Sequence, residues 1–140
     1  FLKEFPSFCR IQWQRGGGIM RRDMELVRKI LLYVEAKGDG SSGLIQIDDY
    51  EQTLIDYHVD IMIDAGLLKG KPLRGGNRVL NHGVILTWDG HDFLDSIKNE
   101  NVWNKIKGSI RDKGLELGNL PFMVLKDYVK EKLNEILGIS

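Results

Sequence analysis

Apolar side chains recur along most of this chain at three- and four-residue steps, and this spacing predicts helices. Leu26, Val27, Ile30, Leu31 and Val34 form one stripe, so a first helix is expected from about Asp23 to Ala36. Asp23 suits its start, Glu25 and Lys29 stand at a favourable i,i+4 spacing, and Gly38 suits a left-handed stop. After a loop at residues 39–43, Leu44-Ile45-Gln46-Ile47 reads as a short strand. Asp48 or Asp49 then opens a helical region reaching Ala65, as one helix or as two joined near Thr53. Its apolar face carries Leu54, His58, Ile61, Met62 and Ala65, and Gly66 ends it.

The pattern then changes period. Leu67 to Leu73 and Val79 to Thr87 read as two strands of a hairpin with Arg74-Gly75-Gly76-Asn77-Arg78 at its tip, where glycine accepts the positive φ of a tight turn. Thr87 opens a helix that buries Phe93, Leu94 and Ile97, and Asn99-Glu100-Asn101 breaks it. The next helix carries Val102, Trp103, Ile106 and Ile110 and ends at Gly114. Asn119 is expected to cap a last helix with Pro121 in its first turn and the stripe Phe122, Leu125, Val129, Leu133, Ile136. The fold class is mainly α with a small antiparallel sheet (α+β). Helix, strand, basic glycine-rich loop and strand in that order predict a winged helix-turn-helix over residues 20–98, extended by C-terminal helices over 99–140.

Residues 1–19 show neither periodicity nor a cap. The chain starts at Phe1, its first methionine is Met20, and Arg15-Gly16-Gly17-Gly18 can be encoded by the purine run of a ribosome-binding site. The expectation is a protein that begins at Met20, the alternative being a loose N-terminal arm. Setting residues 1–19 aside leaves 121 residues, enough for one core without covalent staples. It also removes Cys9, the only cysteine, so neither a disulfide framework nor a thiolate metal site is expected. The full chain balances 20 basic against 20 acidic side chains, and without Lys3, Glu4, Arg10 and Arg15 the balance becomes 17 against 19. No apolar run approaches the roughly 18–20 residues that cross a bilayer. A soluble cytoplasmic protein is expected.

Three motifs carry a resemblance: Met20-Arg21-Arg22-Asp23-Met24-Glu25-Leu26-Val27-Arg28-Lys29-Ile30-Leu31; Tyr57-His58 followed by Asp64-Ala65-Gly66-Leu67-Leu68; and Leu86-Thr87-Trp88-Asp89-Gly90-His91-Asp92-Phe93-Leu94. Over about residues 20–98 the chain resembles an uncharacterised bacterial and prophage family, domain of unknown function 2513. The resemblance implies a winged-helix-like fold and a start at the Met-Arg-Arg-Asp motif. It brings no activity with it.

Charge is sharply segregated. Lys69, Lys71, Arg74 and Arg78 lie in a stretch with no acidic residue between Asp64 and Asp89, and such a wing suits a phosphate backbone. A solvated hairpin charged for solubility is the other reading. Residues 38–68 hold Asp39, Asp48, Asp49, Glu51, Asp56, Asp60 and Asp64 with no Lys or Arg. In a conventional winged helix the element before the wing enters the major groove. Here Asp56, Asp60 and Asp64 stack at i,i+4 steps, where each like-charge pair costs about 0.2–0.5 kcal/mol even without phosphates nearby. That argues against ordinary groove reading. Calcium loops space their ligands differently, and neither metal nor cofactor is expected. His58 reads as a core histidine. Trp88 and Trp103 are expected to pack among the helices. A His91–Asp92 pair lacks a nucleophile, no serine stands in an elbow motif, and the glycine-rich tip lacks the Lys-Ser/Thr of a nucleotide loop. No enzyme is expected.

Two functions follow as expectations. One is a small bacterial or prophage DNA-binding regulator that grips double-stranded DNA through Lys69, Lys71, Arg74 and Arg78, helped by Arg21, Arg22, Arg28 and Lys29. The other is a protein-interaction module whose acidic helix, residues 49–65, docks a basic partner through Asp56, Asp60 and Asp64. Leu125, Val129 and Leu133 on the last helix are expected to form a homodimer interface.

Overall fold

The computed structural model describes residues 21–37, 45–75 and 78–138, with the backbone alone over 72–75 and 78–82. The expectations for residues 1–19, for the stop at Gly38 and for the loop at 39–43 lie outside the described residues. The order of elements is α1 (Met24–Lys37), α2 (Gln52–Asp64), β1 (Leu68–Gly75), β2 (Arg78–Leu86), α3 (Trp88–Ile97), α4 (Glu100–Asp112), a 3-10 turn (Leu117–Asn119) and α5 (Phe122–Leu137). Among the described residues the protein is therefore mainly helical with one two-stranded antiparallel sheet. No helix among these residues is long and apolar enough to cross a membrane.

α1 forms where its stripe predicts. The Asp23 carboxylate accepts the Glu25 and Leu26 backbone N–H groups at 2.9 and 3.3 Å, and the stripe buries Leu26, Ile30 and Leu31 completely. The partner of Glu25 is not Lys29. Its carboxylate accepts the Trp103 indole N–H at 3.1 Å and pairs with the Lys107 ammonium, so α1 is tied to α4 instead. Residues 45–47 form no strand; Ile45 is buried and its carbonyl accepts the Gln52 amide at 2.9 Å. A single helix, α2, follows. Asp48 and Asp49 lie in the turn before it, and its N-cap is Glu51.

α2 ends in a full set of reversing hydrogen bonds. Gly66, at φ +84°, lets its own N–H reach the Ile63 carbonyl (3.0 Å) and the Leu67 N–H reach the Met62 carbonyl (2.9 Å). The chain leaves directly into β1. The strands pair from Leu68↔Leu86 to Gly75↔Arg78, and a bulge sets Gly83 and Val84 against the single residue Gly70. The side chains described at the base of this hairpin reach the core: Leu67, Leu68 and Leu86 are buried and Val84 packs partly against them.

Thr87 joins hairpin to helix. Its N–H donates to the Leu67 carbonyl (3.1 Å), its hydroxyl donates to the Gly66 carbonyl (2.6 Å), and the same oxygen accepts the Gly90 N–H as N-cap of α3 (2.9 Å). α3 lies so close to this junction that a Cβ on Gly90 would sit 2.1 Å from the Leu67 carbonyl oxygen. Asn99 caps α4 through the Asn101 and Val102 N–H groups. Asn119 does not cap α5: Pro121 holds that position, and the Asn119 side chain accepts the Arg21 guanidinium. α5 packs on α3, with Phe122 edge-on to Phe93 at 5.1 Å between centroids.

This packing corrects the reading of the last helix. Leu125 and Val129, at 0 and 1% exposure, are sealed inside the chain's own core, and Leu133 packs against that core as well. They cannot form a dimer face without opening the fold. Only the far end of the stripe, Ile136, is exposed.

Two glycine substitutions separate close approach from helix propensity. Gly90→Ala drives a methyl into backbone and is expected to destabilise by about 1–3 kcal/mol or more. Gly108, within α4, has nothing within 4 Å of an added Cβ, so Gly108→Ala is expected to stabilise by about 0.5–1 kcal/mol. Urea unfolding of both variants checks the pair; equal effects would contradict the packing at Gly90.

Candidate nucleic-acid interface

Two lysines of the hairpin, Lys69 and Lys71, stand on the side away from the core. Successive strand residues face opposite ways, and where Leu68 and Leu86 turn inward their neighbours Lys69 and Ile85, paired across the strands, turn out. Lys69 and Lys71 are exposed, and no ion pair or hydrogen bond among the described residues engages either side chain. Arg74 and Arg78 stand opposite Val79 and Gly75 in the register; their side chains lie outside the described residues. Trp88 follows the hairpin at the first position of α3. It does not pack between helices, being 82% exposed, whereas Trp103 is fully buried as expected. Helical spacing carried this signal, since the buried stripe Gly90, Phe93, Leu94, Ile97 leaves Trp88 on the far side.

The basic residues of α1 have other partners. Arg28 is 6% exposed and its guanidinium closes the end of α3: Nε donates to the Ile97 carbonyl (2.9 Å) and Nη2 to the Lys98 carbonyl (2.7 Å), with the Glu100 carboxylate at 3.4 Å. It satisfies carbonyls that a helix end leaves without partners, so it cannot serve as a phosphate contact. Arg21 and Arg22 are exposed, yet Arg21 donates to the Asn119 side chain and Arg22 to the Leu120 carbonyl (3.1 Å), holding the approach to α5 against the start of α1. Lys29 is exposed, with its ammonium 5.6 Å from the Tyr50 ring centre. Burial, with Asp23, Glu25 and Asp49 nearby, pushes the Tyr50 hydroxyl up to about 12.

The opposite charge lines α2. Asp60 and Asp64 are exposed on its outer face, and neither makes an ion pair or hydrogen bond among the described residues. Asp56 is half-buried and accepts the Gln52 amide at 2.9 Å. Beside this face opens a cleft of about 530 Å³ that sequence periodicity had no means of revealing. Met24 and Val27 of α1, Tyr57 and Ile61 of α2, Leu67 and Phe122 supply its apolar wall, with Asp64 and Arg22 among its lining.

His58 is a core histidine, and its environment fixes its tautomer. Nδ1 faces the Leu54 carbonyl at 2.9 Å and so carries the proton; Nε2 accepts the Asp23 backbone N–H at 2.8 Å. The ring is fully buried and joins α2 to the start of α1. Burial holds its pKa below the usual 6.5, outweighing the Leu54 carbonyl and the Asp23 charge.

With this geometry established, comparison places the chain among known sequences. The profile of the family described as "Hypothetical protein (DUF2513)" matches residues 21–116. The chain belongs to that family. It is also similar to a protein of Haemophilus influenzae described as an uncharacterized protein, 32% identical over 100 residues that cover 70% of this chain and 85% of that protein. No solved structure matches the chain. The family match takes in Arg28, His58, the hairpin and Gly90 but stops short of α5.

The buried histidine generates a pH prediction. A second proton on Nε2 would set donor against the Asp23 N–H, so the folded state takes up protons less readily than the unfolded one. His58 therefore contributes stability that is complete above about pH 6.5 and is lost as pH falls below it. The Glu25 carboxyl sits below its usual 4.5: burial raises it, but the Lys107 and Trp103 hydrogen bonds prevail, so its contribution fades only below about pH 4.5. Between these limits the urea midpoint of the protein is expected to fall on acidification, and that of His58→Asn to stay flatter. Parallel curves for the two proteins would show that His58 is not the titrating group.

Proposed function

We propose that this chain is a small winged-helix-type DNA-binding protein of regulatory character, which holds duplex DNA by its phosphate backbone through the β1–β2 hairpin. The observation that carries this reading is the segregation of charge at the hairpin. Four cationic positions, Lys69, Lys71, Arg74 and Arg78, occupy its strands with no acidic residue between Asp64 and Asp89, and the two lysines whose side chains are described stand exposed. Cations arranged along a hairpin release condensed counterions from a duplex and gain affinity without reading sequence. The exposed Trp88 and Ile85 beside Lys69 add apolar surface where sugar and base edges would approach.

The winged-helix comparison rests on element order: α1, α2, then a hairpin that opens directly from α2. The use of the fold differs from the conventional one. α2 stands where a recognition helix would, and its exposed Asp60 and Asp64 repel phosphates. The mode proposed is hairpin against backbone with α2 turned away, a binding function rather than a catalytic one. The burial of Arg28 narrows the contact set to the hairpin, with Arg21 and Arg22 peripheral.

The acidic face of α2 supports a second reading, a protein-interaction module docking a basic partner, because Asp60 and Asp64 stand exposed there beside an apolar cleft lined also by Arg22. One titration separates the two. Four phosphate contacts predict that log affinity for random duplex falls with log salt at a slope of about −3 to −4, and Lys69→Gln with Lys71→Gln should flatten it by about 2. Absence of binding at low salt would overturn the DNA reading and leave the protein-interaction module standing.

A further inference from the structure

The cleft beside α2 holds charges of both signs over an apolar wall. Tyr57, Ile61 and Asp64 stand at i, i+4 and i+7, so α2 turns one stripe into it, while Met24, Phe122 and Arg22 face that stripe from elsewhere in the chain. We infer that the cleft binds an apolar zwitterion of dipeptide size, its carboxylate held by Arg22 and its ammonium by Asp64.

The two charges line one cleft without neutralising each other. Asp64 makes no ion pair or hydrogen bond among the described residues. Arg22 gives one guanidinium nitrogen to the Leu120 carbonyl at 3.1 Å, a neutral acceptor that leaves its charge uncompensated. Arg22 also borders a second, more polar hollow with Asp23 and Glu116, but among the described residues it pairs with neither. A ligand entering the cleft displaces water from Arg22 and Asp64 together, and a charge that loses its water is costly unless it gains a partner. A neutral apolar molecule would leave both charges stranded, and a simple acid or amine would leave one. A zwitterion meets both.

Volume and spacing set the size. The cleft, at about 530 Å³, falls within the roughly 300–1,000 Å³ of small-ligand pockets. His58 lies level with the start of α1, because its Nε2 accepts the Asp23 N–H at 2.8 Å. Asp64 is six residues further along α2, a distance of about 9 Å. A free amino acid carries its two charges side by side, too close together for that span. An extended dipeptide sets its ends about 7 Å apart, which the long Arg22 side chain can complete, and its two side chains suit the wall of Met24, Ile61 and Phe122.

Leu67 connects this cleft to the hairpin: it lines the cleft, and its carbonyl accepts the Thr87 N–H that closes the hairpin base. Ligand binding stands without the DNA reading. Only its consequence, a duplex affinity that changes when the cleft is filled, rests on that reading.

Calorimetric titration of the full chain with L-leucyl-L-phenylalanine is expected to find one saturable site with Kd below about 1 mM. The N-acetylated dipeptide, which lacks the ammonium, and the dipeptide amide, which lacks the carboxylate, should each bind at least about tenfold more weakly, as should L-phenylalanine alone. Asp64→Asn should abolish the difference that acetylation makes, and Arg22→Gln the difference that amidation makes. Both positions are exposed, and circular dichroism checks that each variant keeps its fold; the capped ligands test the parent protein whatever the variants do. In labelled protein the amides of Ile61, Ala65 and Leu67 should shift. Absence of saturable binding, capped dipeptides or a single amino acid binding as tightly as the free dipeptide, or shifts confined to other regions would each overturn the inference. Duplex binding measured without the dipeptide is read separately: if it is absent while the dipeptide binds, the DNA reading alone fails.

Discussion

The backbone between Gly66 and Leu67 is the point on which the rest of this structure depends. Gly66 reverses the chain out of α2, and the Gly66 and Leu67 carbonyls then accept the Thr87 hydroxyl and N–H from the far end of the hairpin. The same Thr87 oxygen caps α3, and Gly90 packs on the Leu67 carbonyl with no room for a side chain. Two successive peptides thus end a helix, close the base of a hairpin and seat the next helix. The orientation of the hairpin against α2 follows from it, and so does the opposition of a basic surface to an acidic one.

Several charged groups are spent on holding this frame together. Arg28 is buried at the end of α3, Glu25 binds Trp103 and Lys107 of α4, and Arg21 and Arg22 tether the approach to α5. A buried cation is tolerated because its hydrogen bonds are met by carbonyls that would otherwise lack donors. Asp60 and Asp64 on α2 and Lys69 and Lys71 on the hairpin are different, since the described structure gives them nothing to hold. Charges that a fold does not use for itself are the natural places to look for what the molecule binds.

Local chemistry was legible in the sequence where a single residue type forces an outcome. Asp23 and Thr87 cap helices, Gly66 stops one, Asn99-Glu100-Asn101 separates two, and the switch from helical to alternating period locates the hairpin. Reading failed where a residue's role is set by a neighbour distant in the chain. Arg28 looks like a surface cation until α3 brings its open carbonyls alongside, and Glu25 looks paired to Lys29 until α4 supplies a closer ammonium. Leu125 and Val129 form the helical stripe expected, but periodicity marks a buried face without saying what buries it; here it is the chain's own core. Trp88 departs from expectation for a simpler reason: its position opposite the stripe, and not its size, decides its exposure. The strand expected at residues 44–47 lacks a partner among the described elements, and residues 45–47 stay irregular.

The central claim is that the hairpin, and not α2, is the surface turned toward DNA. Amide chemical shifts of the labelled protein, followed while a random duplex is added at low salt, test it residue by residue. The account predicts that shifts concentrate in residues 69–80 and around Ile85 to Trp88, while the amides of Asp60 and Asp64 stay in place. Shifts centred on α2 with the hairpin unmoved would contradict it.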